Sequence, residues 1–100
     1  MLIRLAALDV DGTLVGDDLV LSPRVRRAIA GAQERGAVVT LATGRMFDFA
    51  VPFARDLGIA APLICYQGGL IQSPDSERPL YRATMEPTLA RDVLAWQAER

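Results

Sequence analysis

The stretch Leu2-Ile3-Arg4-Leu5-Ala6-Ala7-Leu8-Asp9-Val10-Asp11-Gly12-Thr13-Leu14 is apolar but for Arg4 as far as Leu8, then turns acidic and breaks at a glycine. So short a run suits a buried strand better than a helix. Beyond it, Val15-Gly16-Asp17-Asp18-Leu19 reads as a small turn or hairpin, and Ser22-Pro23 supplies an N-cap and a first-position proline. The helix predicted there places Val25, Ala28, Ile29 and Ala32 on one face and stops at Gly36. Ala37 to Ala42 is β-branched, apolar and of strand length, which completes a β-α-β unit. A second helix is predicted from about Arg45 to Leu57, with Met46, Phe49, Ala50, Phe53 and Leu57 at helical spacing. Pro52 forbids a regular interior, so that helix starts late or kinks. Pro62 to Tyr66 is a third short strand, and Gly68-Gly69 a turn.

Strands alternating with helices of this length predict a parallel α/β sheet. The pattern then changes. Leu70 to Gln72 and Leu80 to Arg82 flank the polar turn Ser73 to Glu77, which predicts an antiparallel hairpin. Pro87 opens another amphipathic helix with Leu89, Val93 and Trp96 on one stripe.

Composition narrows the function. With 100 residues, 51% of them hydrophobic, and a net charge of −1, the chain is one small globular unit. Its basic residues are all Arg and form no run, so neither nucleic acid nor an anionic membrane is an expected partner. No apolar stretch approaches the roughly 18 residues that span a bilayer. A single Cys65 and two acids too early for a secretory leader lead to a cytoplasmic expectation. His, Lys and Asn are absent altogether, which removes histidine triads and histidine metal sites. Cys65 lacks an Arg six residues on, where Ile71 stands, so a cysteine phosphatase loop is not present either.

Two places carry chemistry. Asp9 and Asp11 end the first strand, and their spacing of two turns both carboxylates to one side of an extended chain. In a parallel sheet that end opens the ligand crevice. Two like charges there are costly unless a cation or a shared function offsets them; Asp11-Gly12 is also a common turn former. Thr43-Gly44-Arg45 ends the second strand on the same sheet edge and offers a hydroxyl, an unshielded amide and a guanidinium. These groups suit an anion, phosphate above all. Helix capping by Thr43 and a surface role for Arg45 are the plainer alternative. Carboxylates beside an anion cradle make chemical sense when a divalent metal joins them and a carboxylate attacks the bound group.

Asp9-Val10-Asp11-Gly12-Thr13-Leu14, Leu41-Ala42-Thr43-Gly44-Arg45 and Gly68-Gly69-Leu70-Ile71 resemble the opening motifs of haloacid dehalogenase-type phosphatases, most closely the Cof-like branch. The resemblance implies a partial Rossmann-like, parallel three-layer α/β/α sheet over residues 1–72. Residues 73–100 would then begin an inserted α+β cap. It further implies a Mg²⁺-dependent phosphatase that hydrolyses a small phosphorylated metabolite, such as a sugar phosphate, through an aspartyl-phosphate. Asp9 resembles the nucleophile and Asp11 the general acid/base, with Mg²⁺ held by the Asp9 carboxylate and the Asp11 carbonyl. Asp11, Gly12, Thr43 and Gly44 resemble the phosphate-binding set. Arg45 is a candidate for substrate contact or for a structural ion pair.

The sequence also departs from the family. Gln67 stands where the branch usually has Asn, and the later Lys and later acidic metal motif have no counterpart. On this reading the residues are the N-terminal portion of a longer enzyme, inactive alone and prone to self-association through an exposed sheet edge. A phosphomutase of the same superfamily, or a non-catalytic phosphate- or partner-binding module, is the alternative.

Overall fold

The computed structural model describes residues 2–100; Met1, the first residue of the expected core segment, lies outside them. Strand β1 is Leu5–Leu8, helix α1 Pro23–Glu34, strand β2 Val38–Leu41 and helix α2 Phe47–Asp56. Strands β3 (Leu63–Cys65), β4 (Leu70–Gln72) and β5 (Tyr81–Arg82) precede helix α3, Pro87–Ala98. The two long apolar runs pair as expected: β1 lies parallel to β2, with Leu5 opposite Val38 and Leu8 opposite Leu41.

Alternation along these strands sorts their side chains. Ala6, Leu8, Val39 and Leu41 share the face that meets the helices, and Leu41 is fully buried. Ser22 caps α1 as its position predicts, its Oγ accepting from the Val25 N–H at 3.2 Å. From α1, Ile29 enters the core, while Ala28 stays exposed. Helix α2 starts at Phe47, two residues later than Arg45, and runs on through Pro52. Its buried face is Ala50, Val51 and Ala54, and Met46, expected on the apolar stripe, is exposed. Full burial of a leucine such as Leu41 or Leu63 is worth about 1.5–3 kcal/mol.

The two helices lie on the same side of the sheet. Arg26 of α1 pairs with Asp56 of α2 at 2.6 Å, and Gln33 Nε2 donates to the Gly58 carbonyl just beyond α2. Right-handed crossovers stepping in one direction along a sheet put successive helices on one face. The opposite face carries Leu5 and Val38, exposed by 61% and 49%. Among the described residues, then, the α/β arrangement has one helical layer. Helix α3 does not supply a second, since it buries none of its residues.

The third strand departs from the expectation of a continuous parallel sheet. β3 touches β2 through a single parallel bridge, Ala42 to Ile64, reinforced by the Thr43 N–H donating to the Ile64 carbonyl at 2.8 Å. Its other edge pairs antiparallel with β4, which pairs antiparallel with β5. The β4–β5 hairpin is the expected one; the β3–β4 pairing is not. Its tight connection uses left-handed backbone at Tyr66, Gln67 and Gly68. No helix among the described residues is long and apolar enough to cross a membrane.

Candidate active site

Asp9 follows directly after β1 and Thr43 two residues after β2, so parallel pairing brings both loops to one edge. There Asp9, Asp11, Thr43, Gly44, Arg45 and Gln67 line one open cleft of about 380 Å³. Three larger hollows, two bordered by the β4–β5 hairpin and its turn and one beside the start of β2, contain neither Asp9 nor Asp11.

The two aspartates differ in their surroundings. Asp9 is exposed, and its Oδ1 accepts from the Val10 N–H at 2.9 Å. Asp11 is half-buried and gripped by Arg45: Nε donates to Oδ2 at 3.1 Å and Nη2 to Oδ1 at 3.0 Å. The same guanidinium stacks over the Phe49 ring of α2, 4.4 Å from its centroid. Of the two roles open to Arg45, the structure therefore displays the ion pair.

The tight turn after β1 is built on Val10, whose carbonyl accepts from the N–H groups of Thr13, Leu14 and Val15. Gly12 completes it at φ +76°, where a side chain would be strained. Gly12 donates its N–H to the Val15 carbonyl at 2.9 Å, so in this conformation that amide serves the turn and not a phosphate. Thr43 is buried, and its Oγ1 accepts from the Arg45 N–H at 3.0 Å, leaving the hydroxyl proton to donate. Gly44 was expected to leave room for a ligand. That room belongs to Gln67: a Cβ on Gly44 would sit 2.5 Å from Gln67 Nε2. Gln67 stands where the resembled branch usually has Asn, and no spacing rule points to its contact with Gly44.

Cys65 is wholly buried at the end of β3, and burial pushes its thiol up from the ordinary range. It is a packing residue, as expected of a lone internal cysteine.

Comparison with known proteins follows the same lines. The sequence pattern of the haloacid dehalogenase-like hydrolases matches residues 6–100. The chain is 35% identical over 74 residues to a phosphoglycolate phosphatase of Thermoplasma acidophilum, covering 74% of this chain and 33% of that protein. It is 35% identical over 91 residues to the HMP-PP phosphatase of Serratia proteamaculans, covering 91% of this chain and 33% of the relative. A solved haloacid dehalogenase-like hydrolase from B. subtilis superposes at a TM-score of 0.83 with 30% identity, over 97% of this chain and 34% of that one. The chain thus spans about a third of the length of these relatives. With the two-aspartate strand end, the Thr-Gly-Arg strand end and this match over nearly all its residues, the chain belongs to the haloacid dehalogenase-like hydrolase family.

Proposed function

We propose that this chain supplies the nucleophile and the phosphate cradle of a phosphomonoester hydrolase acting on a small phosphorylated metabolite. The observation that carries the reading is the convergence of Asp9, Asp11, Thr43 and Gly44 on one cleft at the carboxyl ends of β1 and β2. Relatives named as phosphatases, among them a phosphoglycolate phosphatase, support the same class of substrate.

The chemistry follows from the different states of the two carboxylates. Asp9, exposed and without a cation partner in the described residues, attacks phosphorus through one oxygen. The P–O bond to the alcohol breaks, and Asp11 gives the leaving oxygen its proton. Water then attacks the aspartyl-phosphate, Asp11 takes the water's proton, and the Asp9 carboxylate is restored. The Thr43 hydroxyl donates to a phosphoryl oxygen throughout. Asp11 does its part by leaving the Arg45 fork and taking up a proton from solvent before the ester bond breaks, which frees the guanidinium to face the phosphate.

Magnesium fits the donors at hand. It favours hard oxygen ligands and takes one or two carboxylates together with substrate phosphate. The Asp9 carboxylate would provide one ligand, and the Asp11 carbonyl, which accepts no backbone N–H among the described residues, would provide another. No cluster of three acidic or other metal-ligating side chains occurs in the described residues. When bound, the ion would supply positive charge against the phosphoryl oxygens.

The test is Asp9→Asn in the gene product that carries these residues, assayed on a panel of small phosphate esters with Mg²⁺. An amide cannot serve as the nucleophile, so hydrolysis is expected to vanish while the circular dichroism spectrum stays native. Retention of more than about a tenth of kcat, a loss under roughly 1.4 kcal/mol, refutes the assignment.

A further inference from the structure

Gln67 lines the cleft with Asp9, Asp11, Thr43, Gly44 and Arg45, yet nothing in the reaction above uses it. Its backbone sits at φ 55°, ψ 33°, next to Tyr66 at φ 51°. Left-handed backbone costs a residue with a side chain on the order of 1 kcal/mol or more. The conformation is enforced from the second strand end: the Gln67 N–H donates to the Thr43 carbonyl at 3.1 Å, and the Tyr66 N–H to the Arg45 carbonyl at 3.0 Å. The strained turn therefore grips the Thr-Gly-Arg loop from above. It also lays the Gln67 carboxamide across Gly44, where a Cβ would meet Nε2 at 2.5 Å and Cδ at 3.0 Å. A glycine at 44 is needed for that overlap and not for its own backbone, which lies outside the left-handed region.

We propose that the Gln67 carboxamide is a phosphate-contacting donor, its Nε2 holding a phosphoryl oxygen over the Thr43–Gly44 loop. An amide aimed at an anion makes a charge-assisted hydrogen bond without bringing a charge of its own. The identity of the anion as phosphate rests on the function proposed above.

Binding of inorganic phosphate to the full chain, measured by calorimetry with Mg²⁺, tests this without turnover. Gln67→Ala is expected to weaken binding on the order of 10- to 100-fold, the range for a hydrogen bond to a charged group. Gln67→Glu keeps the shape but turns the donor into a like-charged acceptor, so it should weaken binding at least as much. Parent-like affinity in both variants, or no measurable phosphate binding by the parent at millimolar concentration, overturns the proposal. A chain whose phosphate binding depends on Gln67 but which hydrolyses no ester refutes the phosphatase reading and leaves this one standing.

Discussion

Cutting the fork between Arg45 and Asp11 is the most direct probe of the site's geometry. Arg45→Met keeps an apolar stem over Phe49 but removes both donors, and Asp11→Asn removes the charge they meet. The two hydrogen bonds, 3.1 and 3.0 Å, have the bidentate form that gives arginine–carboxylate pairs their directionality. Solvent reduces their worth, because the two side chains are 52% and 39% exposed. Exposed pairs contribute about 0.2–1 kcal/mol, and this geometry belongs near the top of that range. Contact of the guanidinium with Phe49 adds about 0.5–1 kcal/mol, lost in Arg45→Met alone. Arg45→Met should therefore cost about 1–2 kcal/mol and Asp11→Asn somewhat less.

A double-mutant cycle isolates the pair, with an expected coupling of about 0.5–1 kcal/mol. Each kcal/mol moves Tm by about 4–8 °C in a domain of this size, so thermal unfolding resolves it. Raising the salt should shrink the coupling, since both partners are screened. A coupling below about 0.2 kcal/mol at low salt refutes the fork as a feature of the protein in solution, and with it the restraint placed on Asp11.

Two further outcomes are expected. Glu86 caps α3 by accepting from the Thr88 and Leu89 N–H groups at 3.0 and 3.1 Å, and these bonds, the Thr88 one foremost, hold its carboxyl below the usual range. A lowered native value stabilises α3 fully above the ordinary glutamate range, and that contribution is lost as pH falls through and below that range; the protection factors of the Thr88 and Leu89 amides, taken relative to intrinsic exchange at each pH, should fall across it, and Glu86→Gln should flatten the change. Unchanged protection across that window refutes the cap. Leu5 and Val38 lie exposed on the uncovered sheet face, with the outer edge of β1 beside them. The hundred residues alone should therefore self-associate and Leu5→Lys should reduce it, read by sedimentation; a parent that stays monomeric at high concentration refutes this.

Local chemistry made much of the fold legible. Ser22-Pro23 and Gly36 bracket α1 because capping is decided within a few residues. The β1–β2 pairing follows from two apolar runs joined by one helix. Legibility failed where partners are distant or where residues defy their own preferences. Arg45 meets Asp11 across 34 positions: the parallel β-α-β reading brings its guanidinium to the edge that carries both carboxylates, but spacing does not select Asp11 over Asp9 as its partner. Tyr66 and Gln67 adopt left-handed backbone that neither side chain favours, so from sequence the reversal into β4 reads as a simple glycine turn. Gly44 reads in the sequence as a place where an anion comes close to the backbone, and in the structure the group that comes close is the Gln67 side chain.

The cleft keeps two carboxylates close together by treating them unequally. Arg45 balances the charge on Asp11 and holds it aside, while Asp9 stands exposed with a backbone N–H on one oxygen. A nucleophile needs an unencumbered oxygen, and a proton carrier needs a position that can be released when the leaving group arrives. This asymmetry supports giving the first role to Asp9 and the second to Asp11, since the reverse would place the attacking group inside a salt bridge. Gln67 extends the same division of labour: it reaches the loop beside Arg45 as a neutral donor, so an arriving anion gains a hydrogen bond without adding a cation that would compete for Asp11.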